Sequence, residues 1–342
     1  MSSSKSRSIA VLGLGKSGIA AAKFYKNRNY KVYLHDDNPK SLEGFHAAGY
    51  IIAKPEDWNF SELESVIFSP GIPHLLPKPH IAAELARKNN VEIICDIEVL
   101  HRFKDASSKI IAITGTNGKS TTTALIYHIL KECGVDAEIG GNYGIAALEL
   151  NVEAKNRVFV IEVSSFQLDL LNKAKFDISI LLNITPDHLE RYDTMENYAL
   201  SKRRVFERQE KGDVSIICIE QDATTQIAEW CKENLESEVV AYTTSNVIAS
   251  ESEEFPYLPG QHNRQNIIAA YYAAKNIGLC DEEIIAAIKT FKGLKHRAQN
   301  IFENEKIKFI NDSKATNADA TEPALKTFDN IFWLAGGVAK SG

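Results

Sequence analysis

Short apolar segments alternate with helical patterns along almost the whole chain. The first unit reads "SIAVLGLGKSGIAAAKFY", which predicts a buried strand, a glycine turn and a helix, and "KVYLHDD" follows as a second strand. Two further strands are predicted at "SVIFSP" and "VEIIC". Strands that alternate with helices are typical of parallel sheets, so the expected fold class is α/β.

The pattern restarts at Ile110, after the polar stretch "HRFKDASSK". We therefore place a domain boundary near residue 106. In the helix that follows the next glycine turn, Ile126, Ile129 and Leu130 recur on one face, and Gly134 is a candidate for its C-terminal cap. The strands predicted in this unit are "IIAIT", "VFVIEV", "ISILLNI", "VSIICI" and "VVAYT".

The last part of the chain is shorter. "NIFENEKIKFIND" predicts a hairpin, "ATEPALKTF" a helix and "NIFWLAGG" another strand, while "FKGLKHRAQ" before them has the features of a linker. The predicted domains are residues 1–105, 106–292 and 293–342. A unit as small as the third cannot bury a core of its own, so it is either an incomplete domain or packs on the second.

Composition excludes several classes of function. The chain has 342 residues and a net charge of −6, which argues against the basic surface that nucleic-acid binding needs. Its longest apolar run, "ISILLNI", is too short to cross a membrane, and the first residues lack the features of a secretory signal. The five cysteines are scattered without metal spacing. A cytoplasmic protein with reduced thiols is expected.

The turn "TGTNGKST" contains Gly115, Gly118, Lys119, Ser120 and Thr121 between a predicted strand and a predicted helix. Glycines let backbone N–H groups approach phosphate oxygens, and the helix N-terminus adds positive charge. Lysine can reach the outer phosphates, and the next hydroxyl can ligate Mg²⁺. The turn lacks the first glycine of the usual motif. A simple glycine turn with a surface lysine is the alternative, which the strand–turn–helix context disfavours.

Two acidic positions follow neighbouring strands. Glu162 lies inside an apolar run, where an unpaired carboxylate would be costly, so it is expected to be paired or to bind a metal. Asp187 and His188 come just after the next strand. Ligands of open α/β sheets bind beyond the carboxyl ends of the strands, so these residues and the phosphate turn predict an ATP–Mg²⁺ site. The alternatives are a buried ion pair for Glu162 and a helix cap for His188.

The first glycine turn, "VLGLGKSGIA", has Gly13, Gly15 and Gly18 in a G-x-G-x-x-G pattern. Asp36 and Asp37 follow the next strand, as in turns that bind a dinucleotide. This pattern supports a diphosphate site without specifying NAD. The turn "SPGIP" could face the same anion. Two tight turns with only a packing role remain the alternative.

These motifs, together with "EVSSFQL", "NITPDHLERY", "LPGQHNRQN" and "INDSKATN", resemble those of the Mur ligases of bacterial peptidoglycan synthesis. Within that family, "SSFQL" and "NDSKATN" resemble the member that adds D-glutamate to UDP-N-acetylmuramoyl-L-alanine. The resemblance implies a Rossmann-like N-terminal domain for the UDP-sugar, a P-loop-type parallel-sheet central domain for ATP, and a Rossmann-like C-terminal domain for D-glutamate. It also implies that the C-terminal domain is incomplete in this chain.

The resemblance assigns roles residue by residue. The implied catalytic residues are Lys119, Glu162, His188 and Lys202. The implied ATP contacts are Gly115, Thr116, Asn117, Gly118, Lys119, Ser120, Thr121, Asn263, Asn266, Arg297 and Asp312. The implied contacts to the UDP-substrate are Gly15, Lys16, Ser17, Asp36, Asp37, Ser69, Pro70, Gly71, Asn142 and His188. The implied contacts to D-glutamate are Lys314, Thr316 and Lys340.

The resemblance further implies an ADP-forming ligase with an acyl-phosphate intermediate and two Mg²⁺ sites. Their ligands would be Ser120, Glu162, His188 and Lys202, the last as a carbamate. Without the resemblance, "SKRRVF" around Lys202 would be interpreted as a solvated helix face. "GGVAKSG" replaces the family's usual glycine–aspartate–glycine sequence before Lys340. The expected partners are the two substrates and ATP, the protein is expected to be a monomer, and Gly293 is the candidate hinge.

Three other functions are considered. An NAD-dependent oxidoreductase would explain the first glycine turn and Asp36, but it leaves the second turn, Glu162 and His188 without a role. A non-enzymatic ATP-binding regulator would explain the second turn alone. A folylpolyglutamate synthetase-like ligase keeps the chemistry and changes the substrate, and the first diphosphate turn argues against it.

Overall fold

The computed structural model describes residues 7–246, 255, 257–258, 260–315 and 318–337. Within them lie two parallel sheets and a C-terminal hairpin. The strands of the first sheet are β1 (Ser8–Leu12), β2 (Lys31–His35), β3 (Ile51–Ile52), β4 (Leu63–Phe68) and β5 (Glu92–Ile94). Its helices are α1 (Lys16–Lys26), α2 (Ile81–Lys88) and α3 (Asp96–Phe103).

The first sheet has the strand order β3-β2-β1-β4-β5, and all of its pairings are parallel. Strands β2, β1 and β4 are neighbours, so the residues that follow them meet at one edge. The predicted strands of this unit are confirmed. The sequence did not predict β3, because a two-residue strand has too short a pattern to be recognised.

The central sheet has the order β11-β10-β9-β6-β8-β7, again entirely parallel. Its strands are β6 (Lys109–Thr114), β7 (Ala137–Gly141), β8 (Val158–Glu162), β9 (Ile178–Leu181), β10 (Val214–Cys218) and β11 (Glu238–Tyr242). The helices after them are α4 (Lys119–Glu132), α5 (Ser165–Leu168), α6 (Leu189–Tyr192), α7 (Met195–Arg203), α8 (Asp222–Asn234), α9 (Gln261–Ile277) and α10 (Asp281–Thr290). The five predicted strands are confirmed, whereas β7, with its two glycines, was not predicted.

Both faces of the central sheet are buried. Ile111 and Ile113 of β6 pack on one side with α4 and α9, while Ile110 and Ala112 face the other side. That second apolar cluster continues into the first sheet without interruption, and residues 146–152 pack on α1 and α3. The first and central units therefore share one hydrophobic core.

The segment after α10 is much less buried. The hairpin pairs β12 (Gln299–Glu303) with β13 (Lys308–Asn311) antiparallel, and α11 (Ala318–Thr327) follows, as the sequence predicted. The strand predicted at "NIFWLAGG" is wrong for residues 331–336, which have no strand pairing. Phe332 and Leu334 are 96% and 95% exposed, so within the described residues no neighbouring strand covers them.

Among the helices that the structure describes, none has the length and apolar character needed to span a membrane. All five cysteines are free thiols: Cys95, Cys218 and Cys231 are buried, Cys133 is half-buried and Cys280 is exposed. The expectation of unpaired and mostly buried cysteines is therefore confirmed.

Candidate active site

The phosphate turn connects β6 to α4 at the carboxyl edge of the central sheet. Gly118 has a φ of +84°, and a Cβ built there would lie 2.3 Å from Asn266 Oδ1, so this position requires glycine. Asn183, two residues after the end of β9, accepts a hydrogen bond from the Asn117 backbone N–H at 2.8 Å and donates to the Asn117 carbonyl at 3.1 Å. The neighbouring strand therefore fixes the shape of the turn.

Lys119, the first residue of α4, turns back over the loop. Its Nζ donates to the carbonyls of Gly115 and Thr116, both at 2.8 Å. Burial lowers the pKa of Lys119, and the carboxylates of Glu162 and Asp187 oppose that shift. The ammonium is thus held at the turn by neutral carbonyl groups and lies within the field of two acids.

Glu162 ends β8, the strand beside β6, and is 2% exposed. Its Oε1 accepts a hydrogen bond from Asn142 Nδ2 at 2.6 Å, whereas its buried Oε2 has no hydrogen-bond partner among the described residues. A buried carboxylate oxygen without a partner is costly in an apolar interior. The carboxylate therefore provides an oxygen that a cation could bind, beside the phosphate turn.

Lys202 lies in α7 and is 1% exposed, so the solvated face expected from its sequence alone is wrong. Its Nζ donates to the Gly115 carbonyl at 2.9 Å and lies 4.5 Å from the centre of the Tyr198 ring. Burial and the neighbouring Lys119 cation lower the pKa of Lys202 well below its usual value. Two lysines thus share one carbonyl of the turn, and Lys202 is biased toward its neutral amine form.

His188 caps the single turn of α6 and has a left-handed backbone with a φ of 55°. Its Nε2 lies 3.5 Å from Asp187 Oδ2, and its ring centre lies 4.8 Å from that of Phe166. In the described part of the chain, no hydrogen bond joins His188 to Lys119 or Glu162. The loop after β9 is linked to the turn through Asp187, whose charge acts on Lys119 and Lys202.

A cavity opens between the turn, the start of α9 and the segment after Phe291. Its lining includes most of the residues assigned to ATP from the sequence: Asn117, Gly118, Thr121, Asn263, Asn266, Arg297 and Asp312. Arg297 Nη2 donates to Ser120 Oγ at 3.1 Å, and Asp312 Oδ1 accepts from the Ala298 N–H at 2.9 Å. Tyr257, Leu258 and Leu294 add apolar surface to the same cavity.

The first sheet brings the second predicted group together. Gly13 has a φ of +84° and donates its N–H to the His35 carbonyl, and Ser69 Oγ donates to the Gly13 carbonyl at 2.8 Å. Asp36 Oδ2 accepts from the Leu14 N–H at 2.6 Å, so this carboxylate braces the turn. Four more of the assigned residues lie at the same edge: Lys16 and Gly71 are exposed, and Ser17 and Pro70 are half-buried. Asn142 lies elsewhere, beside Glu162.

Asp37 is 73% exposed, and its Oδ1 lies 3.3 Å from His35 Nε2 and 3.2 Å from His80 Nε2. The three side chains are close enough to hold a metal ion. However, His80 Nδ1 accepts a hydrogen bond from the Ala82 N–H, which leaves the proton of the neutral ring on Nε2. A metal-bound histidine normally donates through its second nitrogen, so the arrangement suits hydrogen bonding to Asp37 better than metal binding.

Of the three residues assigned to D-glutamate, the structure describes only Lys314. Lys314 is exposed, and its backbone N–H donates to the His296 carbonyl at 3.1 Å. Thr316 and Lys340 lie outside the described residues. Their assignment stays a prediction.

Sequence reasoning missed several side chains that shape the site. Asn183, in "NITPDHLERY", was not predicted to have a role, although a polar residue close to the end of an apolar strand was the available signal. Gln265 donates to the Leu182 carbonyl at 2.9 Å and accepts from Asn183. Arg191 connects α6 to the first unit by donating to the carbonyls of Gly71 and Ile72. No local pattern predicts these long-range contacts.

Comparison with known proteins shows the family of this chain. The family model described as the Mur ligase middle domain matches residues 113–255. The chain is 39% identical over 370 residues to the UDP-N-acetylmuramoylalanine–D-glutamate ligase of Caulobacter vibrioides, which covers 98% of this chain and 77% of that protein. It is also 39% identical over 365 residues to the protein of the same name from Agrobacterium fabrum, with 100% and 77% covered.

Solved structures support the same fold. The UDP-N-acetylmuramate–alanine ligase of Thermotoga maritima matches with a TM-score of 0.56 and 20% identity, over 94% of this chain and 77% of that one. A UDP-N-acetylmuramate:L-alanyl-γ-D-glutamyl-meso-diaminopimelate ligase from Neisseria meningitides matches with a TM-score of 0.57 and 15% identity, over 85% and 99%. At this identity the structures show the fold alone, whereas the sequence matches show the group: this chain belongs to the Mur ligase family, among the UDP-N-acetylmuramoylalanine–D-glutamate ligases.

Proposed function

We propose that this chain uses ATP to join D-glutamate to UDP-N-acetylmuramoyl-L-alanine, the reaction for which its relatives are named, in peptidoglycan precursor synthesis. The observation that carries the proposal is the buried Glu162 Oε2, which lies at the same sheet edge as the phosphate turn and has no partner in the part of the chain that the structure describes. An oxidoreductase would need neither group. In this proposal the UDP-sugar binds at the edge of the first sheet, and ATP binds in the cavity between α4 and α9.

Joining a carboxylate to an amine requires activation of the carboxylate. Its oxygen attacks the γ-phosphorus of ATP, the bond to ADP breaks, and an acyl phosphate forms. The amine of D-glutamate then attacks the acyl carbon, inorganic phosphate leaves and a proton is released. Lys119, now bound to two carbonyls, would transfer its hydrogen bonds to phosphate oxygens. With the N–H groups that begin α4, it would offset the repulsion between two anions.

Glu162, Ser120 and His188 are the residues we assign to Mg²⁺. The donor set fits a hard cation, because it offers a carboxylate oxygen without a partner and a hydroxyl at the start of α4. When bound, Mg²⁺ supplies positive charge to the phosphate oxygens. Ser120 Oγ now accepts from Arg297, so this hydrogen bond would have to be exchanged when the hydroxyl turns toward a cation. Two ion sites remain part of the proposal.

We assign Lys202 to the second ion as a carbamate. A neutral amine is the form that attacks CO₂, and both burial and the Lys119 charge favour that form. The reaction joins Nζ to carbon, releases a proton and converts a potential cation into an anion with oxygen ligands. Beside Lys119, the anion would also replace repulsion with attraction.

D-Glutamate binding is assigned to Lys314, Thr316 and Lys340, by likeness to the family. Closure of the segment after Gly293 over the central unit would shield the acyl phosphate from water. Gly293 has a φ of +74°, which favours glycine at the proposed hinge. The domain limits 1–105, 106–292 and 293–342, and the monomeric state, belong to the same proposal.

The experiment is a phosphate-release assay with Mg·ATP, UDP-N-acetylmuramoyl-L-alanine and a panel of amino acids. We expect release only with D-glutamate, together with ADP and the UDP-linked product identified by mass spectrometry. Calorimetric titration of each substrate separates binding from turnover. Binding of NAD in place of Mg·ATP, or no binding of the UDP-sugar, would refute the proposal.

A further inference from the structure

The turn that carries His188 is held in an unfavourable backbone conformation. Helix α6 has four residues, and it lies between two non-glycine residues with a positive φ, His188 at 55° in the left-handed conformation and Asp193 at 68° outside it. Such residues are uncommon and persist only where surrounding contacts enforce them. The contacts around α6 therefore determine where His188 lies.

Two of the supporting side chains, those of Asp169 and Phe166, lie in the central unit itself. Tyr192 Oη donates to Asp169 Oδ2 at 2.8 Å, and the Tyr192 ring stacks on Phe166 with an angle of 15° between their planes. The same Phe166 ring contacts His188 at 4.8 Å between ring centres. Phe166 therefore supports both ends of α6.

A third side chain, that of Arg191, crosses to the first unit. The Arg191 guanidinium lies 4.8 Å from the centre of the Phe166 ring. Its Nη2 donates to the Ile72 carbonyl at 2.9 Å and its Nη1 to the Gly71 carbonyl at 3.3 Å. No carboxylate pairs with Arg191 in the described part of the chain, so its planar group is used on the aromatic ring and the two carbonyls.

The turn that Arg191 contacts is itself tied to the first glycine turn, because Ser69 Oγ donates to the Gly13 carbonyl at 2.8 Å. A continuous series of contacts thus runs from Gly13 through Ser69 and Ile72 to Arg191, and from there through Phe166 to His188. Both ends of the series are surfaces to which we assign ligands. Arg191 is the step where the series passes between the two units.

We propose that Arg191 is a positioning residue, which couples occupation of the UDP-sugar site to the ordering of the His188 turn. The inference rests on the proposed function, since it takes the ligand of the first turn to be the UDP-sugar. A ligand that settles the 69–72 turn fixes the two carbonyls, and these fix the guanidinium over Phe166. His188 is then ordered before the remaining substrates bind.

The test is hydrogen–deuterium exchange of the whole chain, with and without UDP-N-acetylmuramoyl-L-alanine and without nucleotide. In the wild type, we expect the ligand to slow exchange at least about fivefold in both 69–74 and 188–194, the lower end of common coupling between sites. In Arg191→Met, which keeps an apolar group on Phe166, we expect slowing only in 69–74. Arg191→Lys should be intermediate, because one ammonium cannot stack as a plane and reach two carbonyls.

Arg28→Met is the matched control. Arg28 also crosses between the units, through an ion pair with Glu153, but it lies far along the chain from both turns. It should behave as the wild type, and circular dichroism should show that all variants are folded. Slowing in 188–194 that survives in Arg191→Met, or slowing confined to 69–74 in the wild type, would overturn this inference alone. Slowing in neither segment would overturn the proposed function as well.

Discussion

Glu162→Gln should make the ligand-free protein more stable while removing its response to Mg²⁺. The wild-type carboxylate is buried, with one oxygen hydrogen-bonded to Asn142 and the other without a partner within the described ranges. Leaving a buried polar group unsatisfied costs about 1–3 kcal/mol, and more when it is charged. Glutamine keeps the shape and the Asn142 contact, and it removes the charge.

Lys119 limits the gain, because its ammonium lies within the field of Glu162 and compensates part of the charge. We therefore expect a stabilisation of about 2 kcal/mol. For a unit as large as the central one, that stabilisation corresponds to a rise of roughly 4–8 °C in melting temperature. With Mg²⁺ and a non-hydrolysable ATP analogue, the wild type should gain stability by mass action and the variant should gain little.

Glu98 provides a control of opposite sign. It is also fully buried, but its carboxylate accepts hydrogen bonds from Arg102 Nε at 2.8 Å and from the backbone N–H groups of Asn172, Lys173 and Ala174. Glu98→Gln should lower the melting temperature. Differential scanning fluorimetry in EDTA, then in Mg²⁺ with the analogue, measures both variants. A Glu162→Gln protein that melts lower than the wild type in EDTA, or that keeps the full Mg²⁺ response, would refute the reasoning.

Three further predictions use other features of the structure. Gly118→Ala should lower the free energy of unfolding by about 1–3 kcal/mol and weaken ATP binding, because Gly118 has a φ of +84° and the new Cβ would meet Asn266 Oδ1. Gly134→Ala, at a φ of +75° in open space, should cost less stability, and urea unfolding measures the stability of the two variants. Burial lowers the pKa of His74 from 6.5 to about 4, so His74 is protonated at a higher pH in the unfolded chain than in the folded one, and stability should fall as the pH drops from 6.5 to 4. His74→Leu should therefore flatten the dependence of melting temperature on pH, and an unchanged slope would contradict this prediction. Lys202→Ala should lose phosphate release that acetate partly restores, and the absence of any rescue would count against the carbamate.

The sequence predicted the parts of this molecule that depend on local patterns. Buried strands of the central sheet, such as "IIAIT", are predicted by their continuous apolar runs. The convergence of the phosphate turn and Glu162 followed from parallel strands that end at one edge. Strand β7 was missed, because Gly140 and Gly141 break its apolar pattern.

The site itself was predicted less completely. The burial of Lys202 and the contact of Arg191 with the first unit both depend on residues far apart in the chain. Charged residues such as these are usually exposed, so the residue type alone predicts a solvent-exposed side chain at both positions. The strand expected near Phe332 shows the converse: its apolar pattern is present, but a strand also needs a partner, which the described residues do not supply.

The hydrophobic core that continues from the first sheet into the central one has a mechanical consequence. Hinged domains usually meet through modest, polar surfaces, whereas pulling these two units apart would expose leucine and phenylalanine side chains to water. The spacing between the two proposed ligand sites is therefore set when the chain folds, and in the proposed reaction the sugar-linked carboxylate needs no large rotation between these two units to come near the triphosphate. In the proposed function, much of the entropic cost of aligning the first two reactants is thereby met in advance, and closure is assigned to the residues after α10.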